Sequence, residues 1–158
     1  MVVEPAAVVV VVTGGVTGIG GAASLAFAAA GARVFAQYHG GGPELAAIET
    51  AGIATLQLDL TENGAPERMV DAALARFGRV DVWINNAGVA LAGSAETTSE
   101  EDFHWLMDIN FWGVVNGCQV FLPLLRKQPR AHIINISSVF GLIAMPTQAA
   151  YNASKFAV

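Results

Sequence analysis

Tyr151-Asn152-Ala153-Ser154-Lys155 puts a phenol and an ammonium at i and i+4, on one face of a helix. A free tyrosine has a pKa of about 10, too high to exchange protons readily at neutral pH. A neighbouring lysine cation favours the phenolate, so such a pair has the makings of a general acid/base near neutrality. The chain carries only two lysines and two tyrosines, which weighs against a chance pairing on a solvated helix. A second stretch, Thr13-Gly14-Gly15-Val16-Thr17-Gly18-Ile19-Gly20, follows a run of five valines and opens an alanine-rich run. A glycine-rich turn between a buried strand and a helix lets backbone N–H groups and the helix N-terminus face an anionic phosphate. The glycines fall as GxxxGxG rather than GxGxxG, so this stretch alone leaves an ordinary tight turn open.

Alternating strands and helices must position these groups. Val8–Val12 reads as a strand buried on both faces, and Gly18–Ala30 as a helix stopped by Gly31. Arg33–Gln37 is the second strand, Glu44–Ala51 a short helix behind Pro43, and Ala54–Leu58 the third strand, ending at Asp59. Asn63 is placed to cap a helix whose apolar stripe runs through Met69, Val70, Ala73, Leu74 and Phe77 to Gly78. Val80–Ile84 is the fourth strand, followed by Asn85-Asn86-Ala87-Gly88. Ser99 and Asp102 form a capping pair for a long helical region from Glu100 to Lys127, with a break expected near Asn110. His132–Ile136 is the fifth strand, then Ser137-Ser138, and a helix begins at Tyr151. Five alternations predict a single α/β domain over 1–158, a doubly wound parallel sheet between two helical layers. Every polar motif falls at the carboxyl end of a strand, where such sheets bind ligands.

Composition narrows the function classes. With 54% hydrophobic and 13% charged residues, the 158-residue chain has a real core and little scope for long disorder. A net charge of −5 argues against a nucleic-acid surface. Cys118 is the single cysteine, which excludes an internal disulfide and fits a reducing, cytoplasmic compartment. No basic n-region precedes the valines, and no apolar run approaches bilayer length, so neither a signal peptide nor a membrane span is expected. His39, His104 and His132 are scattered without metal-ligand spacing, and no metal is expected. The sequons at Asn135 and Asn152 are then chance matches. Trp83, Trp105, Trp112 and Phe121 read as core or subunit contacts rather than a ligand box.

Taken together, Thr13-Gly14-x-x-x-Gly18-Ile19-Gly20, Asn85-Asn86-Ala87-Gly88, Asn110, Ser138 and Tyr151-x-x-x-Lys155 resemble the short-chain dehydrogenase/reductase family in order and spacing. Ser138 lies thirteen residues before Tyr151, as in the family pattern. The resemblance runs from about Val8 to Val158 and implies a Rossmann-type fold with a nicotinamide cofactor, NADP(H) or NAD(H). It implies that Tyr151 exchanges a proton with a carbonyl or alcohol substrate. Lys155 would lower the tyrosine pKa and bind ribose hydroxyls, Ser138 would steady the developing oxyanion, and Asn110 would hold a water in a proton relay. The implied cofactor-binding set is Gly14, Thr17, Gly18, Ile19, Gly20, Tyr38, His39, Asp59, Leu60, Asn86, Ala87 and Gly88, with Tyr151 and Lys155. Within it Asp59 would accept from the adenine amine; the bare residue type also fits a turn, as Asn110 fits a satisfied core amide.

Gln37-Tyr38-His39 has no acid where NAD-preferring members carry one, which leans the choice towards NADP(H), although Thr17 is neutral where many NADP users are basic. Gln37-Tyr38 is similar to the strand end of 3-oxoacyl carrier reductases; small-alcohol, sugar and steroid dehydrogenases are equally open. The family continues beyond a Tyr-x-x-x-Lys motif with further strands and a substrate-covering loop, so the fold is expected to be incomplete at its C-terminus, with a bare sheet edge. The full-length protein is expected to be a homodimer or homotetramer. The alternative class is an inactive nucleotide-binding fragment or regulatory homologue. The chain by itself is expected to show little or no turnover; carbonyl reduction at rates typical of enzymes, assayed on the purified 158-residue chain, refutes this.

Overall fold

A computed structural model describes residues 7–158. Residues 1–6 lie outside the described residues. The valine run forms β1 (Val9–Val12), in which all four residues are fully buried, whereas Val8 is about half exposed, at 49%. The strand is central in a five-stranded, all-parallel sheet ordered β3-β2-β1-β4-β5, with β2 (Arg33–Tyr38), β3 (Ala54–Gln57), β4 (Val82–Asn85) and β5 (His132–Asn135).

Side-chain alternation along the strands divides the core into two layers. Val11, Phe35 and Trp83 point to one face, where they meet Ala65, Met69 and Ala73 of α3 (Ala65–Phe77) and Phe121 and Leu125 of α5 (Gly113–Leu125). Val10, Val12, Val34, Ala36, Val82 and Ile84 point to the other, against Phe27 of α1 (Gly18–Ala29) and Ile48 of α2 (Glu44–Thr50). The result is the expected three-layer arrangement. At the opposite end of the sheet from the motifs, buried Asp81 accepts from the Val9 N–H (2.9 Å) and pairs with Arg79.

The expected helical region from Glu100 is interrupted where anticipated. Ser99 caps α4 (Glu100–Met107), its Oγ accepting from the Asp102 N–H at 3.0 Å and donating to the Asp102 carboxylate at 2.7 Å. A π-helical turn, Asp108–Trp112, then leads into α5. A 3₁₀ turn, Val139–Gly141, separates β5 from α6 (Ala149–Ala157).

Three expectations are corrected. Asn63 does not cap α3: the helix starts from Gly64 in a left-handed conformation, and Asn63 contributes only its carbonyl, to Arg68 Nη1. The fourth strand is shifted to Val82–Asn85, because Val80 and Asp81 belong to the entry loop, with Asp81 turned to the Val9 amide. Helix α6 begins at Ala149, two residues before Tyr151.

Phe121 is fully buried and stacks on Trp83, with ring centroids 3.7 Å apart and planes 13° from parallel. Phe121→Ala is expected to lower stability by about 3–5 kcal/mol, read as a fall in the urea midpoint with an unchanged m-value; a loss under ~1 kcal/mol contradicts this packing.

Candidate functional site

The turn after β1 is a cradle of backbone amides. Thr17, the N-cap residue of α1, makes no side-chain cap bond, and the first backbone bond into the helix is Gly21 N–H to the Thr17 carbonyl at 2.9 Å. The N–H groups of Gly18, Ile19 and Gly20 precede it and have no intrahelical partner at this open helix end, where Thr17, Gly18 and Ile19 are exposed. Gly18 has φ +53°, and a Cβ there would stand in open space in front of that end. A Cβ on Gly20 would overlap the Gly14 carbonyl and the Asn86 amide, so only glycine lets the helix start against the turn.

Asn86 closes the cradle from the β4 side. Its Nδ2 donates to the carbonyls of Thr13 (2.9 Å) and Gly14 (3.1 Å), while the N–H groups of Asn86 and Ala87 both donate to Thr13 Oγ1 at 2.9 Å. From the cradle a cavity of about 320 Å³ runs past Gly14 and Thr17 to Tyr38, His39, Asp59 and Leu60, with Ala87 and Gly88 on its other wall. Asp59 Oδ1 accepts from the Thr61 N–H (2.8 Å) and hydroxyl (2.7 Å), and these two bonds hold its carboxyl below the ordinary range. His39 Nδ1 lies 3.6 Å from Asp59 Oδ2 and adds to the effect. An uncapped helix end, an amide-lined turn and an elongated slot suit a diphosphate joined to a nucleoside.

A second cavity, of about 180 Å³, opens beside the cradle and is lined by Ile19, Asn86, Gly88, Ser137, Tyr151 and Lys155 among others. Lys155 is 6% exposed. Its Nζ donates to the Ile136 carbonyl (3.0 Å) and lies 5.8 Å from the Tyr151 ring centroid. Burial pushes its pKa below the ordinary lysine value. Gly88 brings the backbone close: a Cβ there would be 3.5 Å from Lys155 Nζ and 3.2 Å from Asn110 Oδ1.

Asn110 is fully buried in the π turn. Its Oδ1 accepts from the Val89 N–H (2.8 Å); its Nδ2 donates to the Val89 carbonyl (2.9 Å) and to Ser154 Oγ (3.1 Å). Ser154 in turn donates to the Tyr151 carbonyl (2.8 Å), so the amide ties the loop after β4 to the helix carrying Tyr151. The two serines after β5 differ. Ser137 spends its proton on the Lys155 carbonyl (2.9 Å). Ser138 Oγ accepts from the Phe140 N–H (3.2 Å), and its own proton has no acceptor among the described residues, leaving it free to donate.

Tyr151, Lys155, Asn86, Gly88 and Ile19 are thus gathered at one cavity, with Asn110 against its wall, and Tyr38, His39, Asp59 and Leu60 at the other. Trp105 and Ile109 are among the lining residues not anticipated. Trp105, read from sequence as a core or subunit contact, is 43% exposed and lines the larger cavity with Ile109. The i, i+4 spacing of Trp105 and Ile109 was a usable signal, but nothing local said which way the helix faced. Gln37 was read for its lack of charge, and the structure buries it to 2% exposure.

A family model described as short chain dehydrogenase matches residues 8–158. The chain is 40% identical over 157 residues to 3beta-hydroxysteroid dehydrogenase 1 of Eggerthella lenta, covering 94% of this chain and 60% of that one. Among solved structures, a short-chain dehydrogenase from Streptomyces avermitilis superposes with a TM-score of 0.90 at 31% identity, covering 98% of this chain and 58% of the other. A short chain dehydrogenase/reductase from Burkholderia phymatum in complex with NAD superposes at 0.88 with 33% identity, covering 96% and 56%. The chain spans little more than half the length of these relatives.

Because the folded Lys155 pKa lies below the ordinary 10.5, the unfolded chain binds that proton more tightly. Stability therefore gains with rising pH between the folded value and 10.5. Lys155→Met lacks this gain. The stability difference in urea unfolding is expected to move in favour of wild type as pH rises towards 10.5 and to be flat at pH values where Lys155 is protonated in both states; a difference independent of pH contradicts a buried ammonium.

Proposed function

The chain belongs to the short chain dehydrogenase family, and from that premise we propose that it is the cofactor-binding and acid/base portion of an oxidoreductase acting on a carbonyl/secondary-alcohol pair. The observation that carries this reading is the meeting of Tyr151 and Lys155 with the phosphate-cradle residues Ile19 and Asn86 in one cavity. The proposed cofactor is a nicotinamide dinucleotide, held against the turn at Gly14 and Thr17 by the amides of Gly18, Ile19 and Gly20, and by the walls at Tyr38, His39, Asp59, Leu60, Ala87 and Gly88. When bound, it supplies or accepts the hydride.

The chain's own residues do the rest. In the reductive direction Tyr151 gives its phenolic proton to the carbonyl oxygen, and in the oxidative direction it takes the alcohol proton. The Lys155 ammonium, fixed on the Ile136 carbonyl, stabilises negative charge developing on the phenol oxygen. Ser138, whose proton has no acceptor among the described residues, donates to the same substrate oxygen. Asn110 keeps α6 and the Gly88–Val89 loop in register, and the water of a proton relay would stand beside it. Tyr38 and His39, with no carboxylate at the end of β2, favour NADP(H), since a carboxylate there would repel a 2′-phosphate.

No helix among the described residues is long and apolar enough to cross a membrane. With one cysteine, the reading extends to a cytoplasmic enzyme, assembled as a homodimer or homotetramer when full length. Exposed Trp112, at 50%, suits such a contact.

Titration with NADPH and NADH, followed by nicotinamide fluorescence, is expected to show saturable binding with NADPH the tighter; no binding of either refutes the reading. In a version extended by the C-terminal part the relatives possess, Tyr151→Phe is expected to cut kcat for carbonyl reduction by roughly 10²–10⁴-fold while leaving cofactor affinity in place. Unchanged reduction rules out the proton-donor role.

A further inference from the structure

We propose that Gln37 is a positioning residue that fixes the phosphate cradle relative to the nucleoside end of the larger cavity. This rests on the dinucleotide reading above. Gln37 is the last but one residue of β2 and is 2% exposed. It follows Phe35 by two, on the face of the strand that turns towards the Trp83–Phe121 layer, where an apolar side chain is the usual occupant. A buried amide is destabilising unless both ends are bonded. Here both are: Oε1 accepts from the Gly14 N–H (2.9 Å), and Nε2 donates to the Leu58 carbonyl (2.6 Å).

The two partners belong to the two ends of the cavity. Gly14 opens the amide turn, and Leu58 is the residue before Asp59. One neutral side chain therefore spans between the loop after β1 and the loop after β3. The Gln37 carbonyl adds a third bond, from the Gly15 N–H at 2.8 Å, so the start of the turn is held by β2 through backbone and side chain together. With these amides committed to Gln37, the N–H groups left for an anion are those further along, at the helix end. Gln37 also lines the cavity floor. Its neutrality matters there, because a carboxylate in the same place would repel a diphosphate and could not donate to the Leu58 carbonyl.

The opposite side of the turn is held by Asn86 through the Thr13 and Gly14 carbonyls. Gly14 is thus gripped at its N–H by β2 and at its carbonyl by β4. Removing the side-chain half of the β2 grip releases the Gly14 N–H, while the Gly15 backbone bond and the β4 grip stay in place.

The test is Gln37→Met, which keeps length and apolar bulk and removes both side-chain bonds, with Gln37→Glu as the second variant in case the first fails to fold. Amide hydrogen exchange and NADPH titration are measured on both against wild type. In Gln37→Met the Gly14 amide is expected to lose protection while amides of β1 and β4 keep theirs, and NADPH affinity is expected to fall about tenfold (an interaction of ~1.4 kcal/mol). In Gln37→Glu the carboxylate still accepts from the Gly14 N–H, so Gly14 protection is retained while NADPH affinity falls at least as far. NADPH binding within twofold of wild type in the variant that folds overturns the inference and leaves the functional reading standing. So does a loss of protection spread evenly over the sheet, the mark of a merely structural role. Failure of wild type to bind NADPH overturns the functional reading and this inference with it.

Discussion

The Thr13 hydroxyl accepts two N–H bonds, from Asn86 and Ala87, and donates to the Ile84 carbonyl. A hydroxyl used in both directions, 4% exposed at the seam of β1 and β4, holds two loops against each other at the end of the sheet. Much of the site depends on that seam. The amide cradle is shaped by Asn86 leaning back across it, and the Gly88–Val89 segment that follows is the one Asn110 grips. A satisfied buried network of this kind contributes less to net stability than to uniqueness, since a slipped loop would leave several polar groups without partners in a dry environment.

Apolar burial supplies the platform. A parallel sheet with helices on both faces has every strand end of one sense on one side, so the loops after β1, β3, β4 and β5 converge by geometry. The valines of β1 serve both layers, Val11 one and Val10 and Val12 the other, which explains a run that has no polar alternation. Polar chemistry is then confined to the rim, where side chains such as Lys155 keep one face to the core and one to the cavity. Lys155 shows the cost of that placement in its lowered pKa and the compensation in its bond to the Ile136 carbonyl.

The π turn interrupts the helical region between α4 and α5, and it sits where the site needs a buried amide. Widening the helix at Asp108–Trp112 redirects Asn110 inward, where it bonds both the Val89 backbone and Ser154. The same irregularity leaves Trp112 outward and half exposed, while Trp105, one helix segment earlier, turns to the cavity wall. Two tryptophans seven residues apart on one helical region thus end in different surroundings.

Periodicity and residue type determined a good deal unaided: five strands alternating with helices, the doubly wound class, the glycine turn, the Tyr151–Lys155 pair and the interruption near Asn110 all follow from local pattern. Element ends were less legible, because Asp81 is drawn to an amide of another strand, and because Gly64 rather than Asn63 starts α3; long-range bonds and backbone handedness outrank capping preference there. Side-chain direction was not legible at all. Gln37 looked like an uncharged rim residue and is a buried strut; Ser137 and Ser138 differ only in which carbonyl lies within reach of one of them; Trp105 faces a cavity that exists only once α4 packs beside the loop after β3. Local sequence carries the period of an element, but which of its faces meets which loop is a property of contacts between residues tens of positions apart, and these the folded chain alone decides.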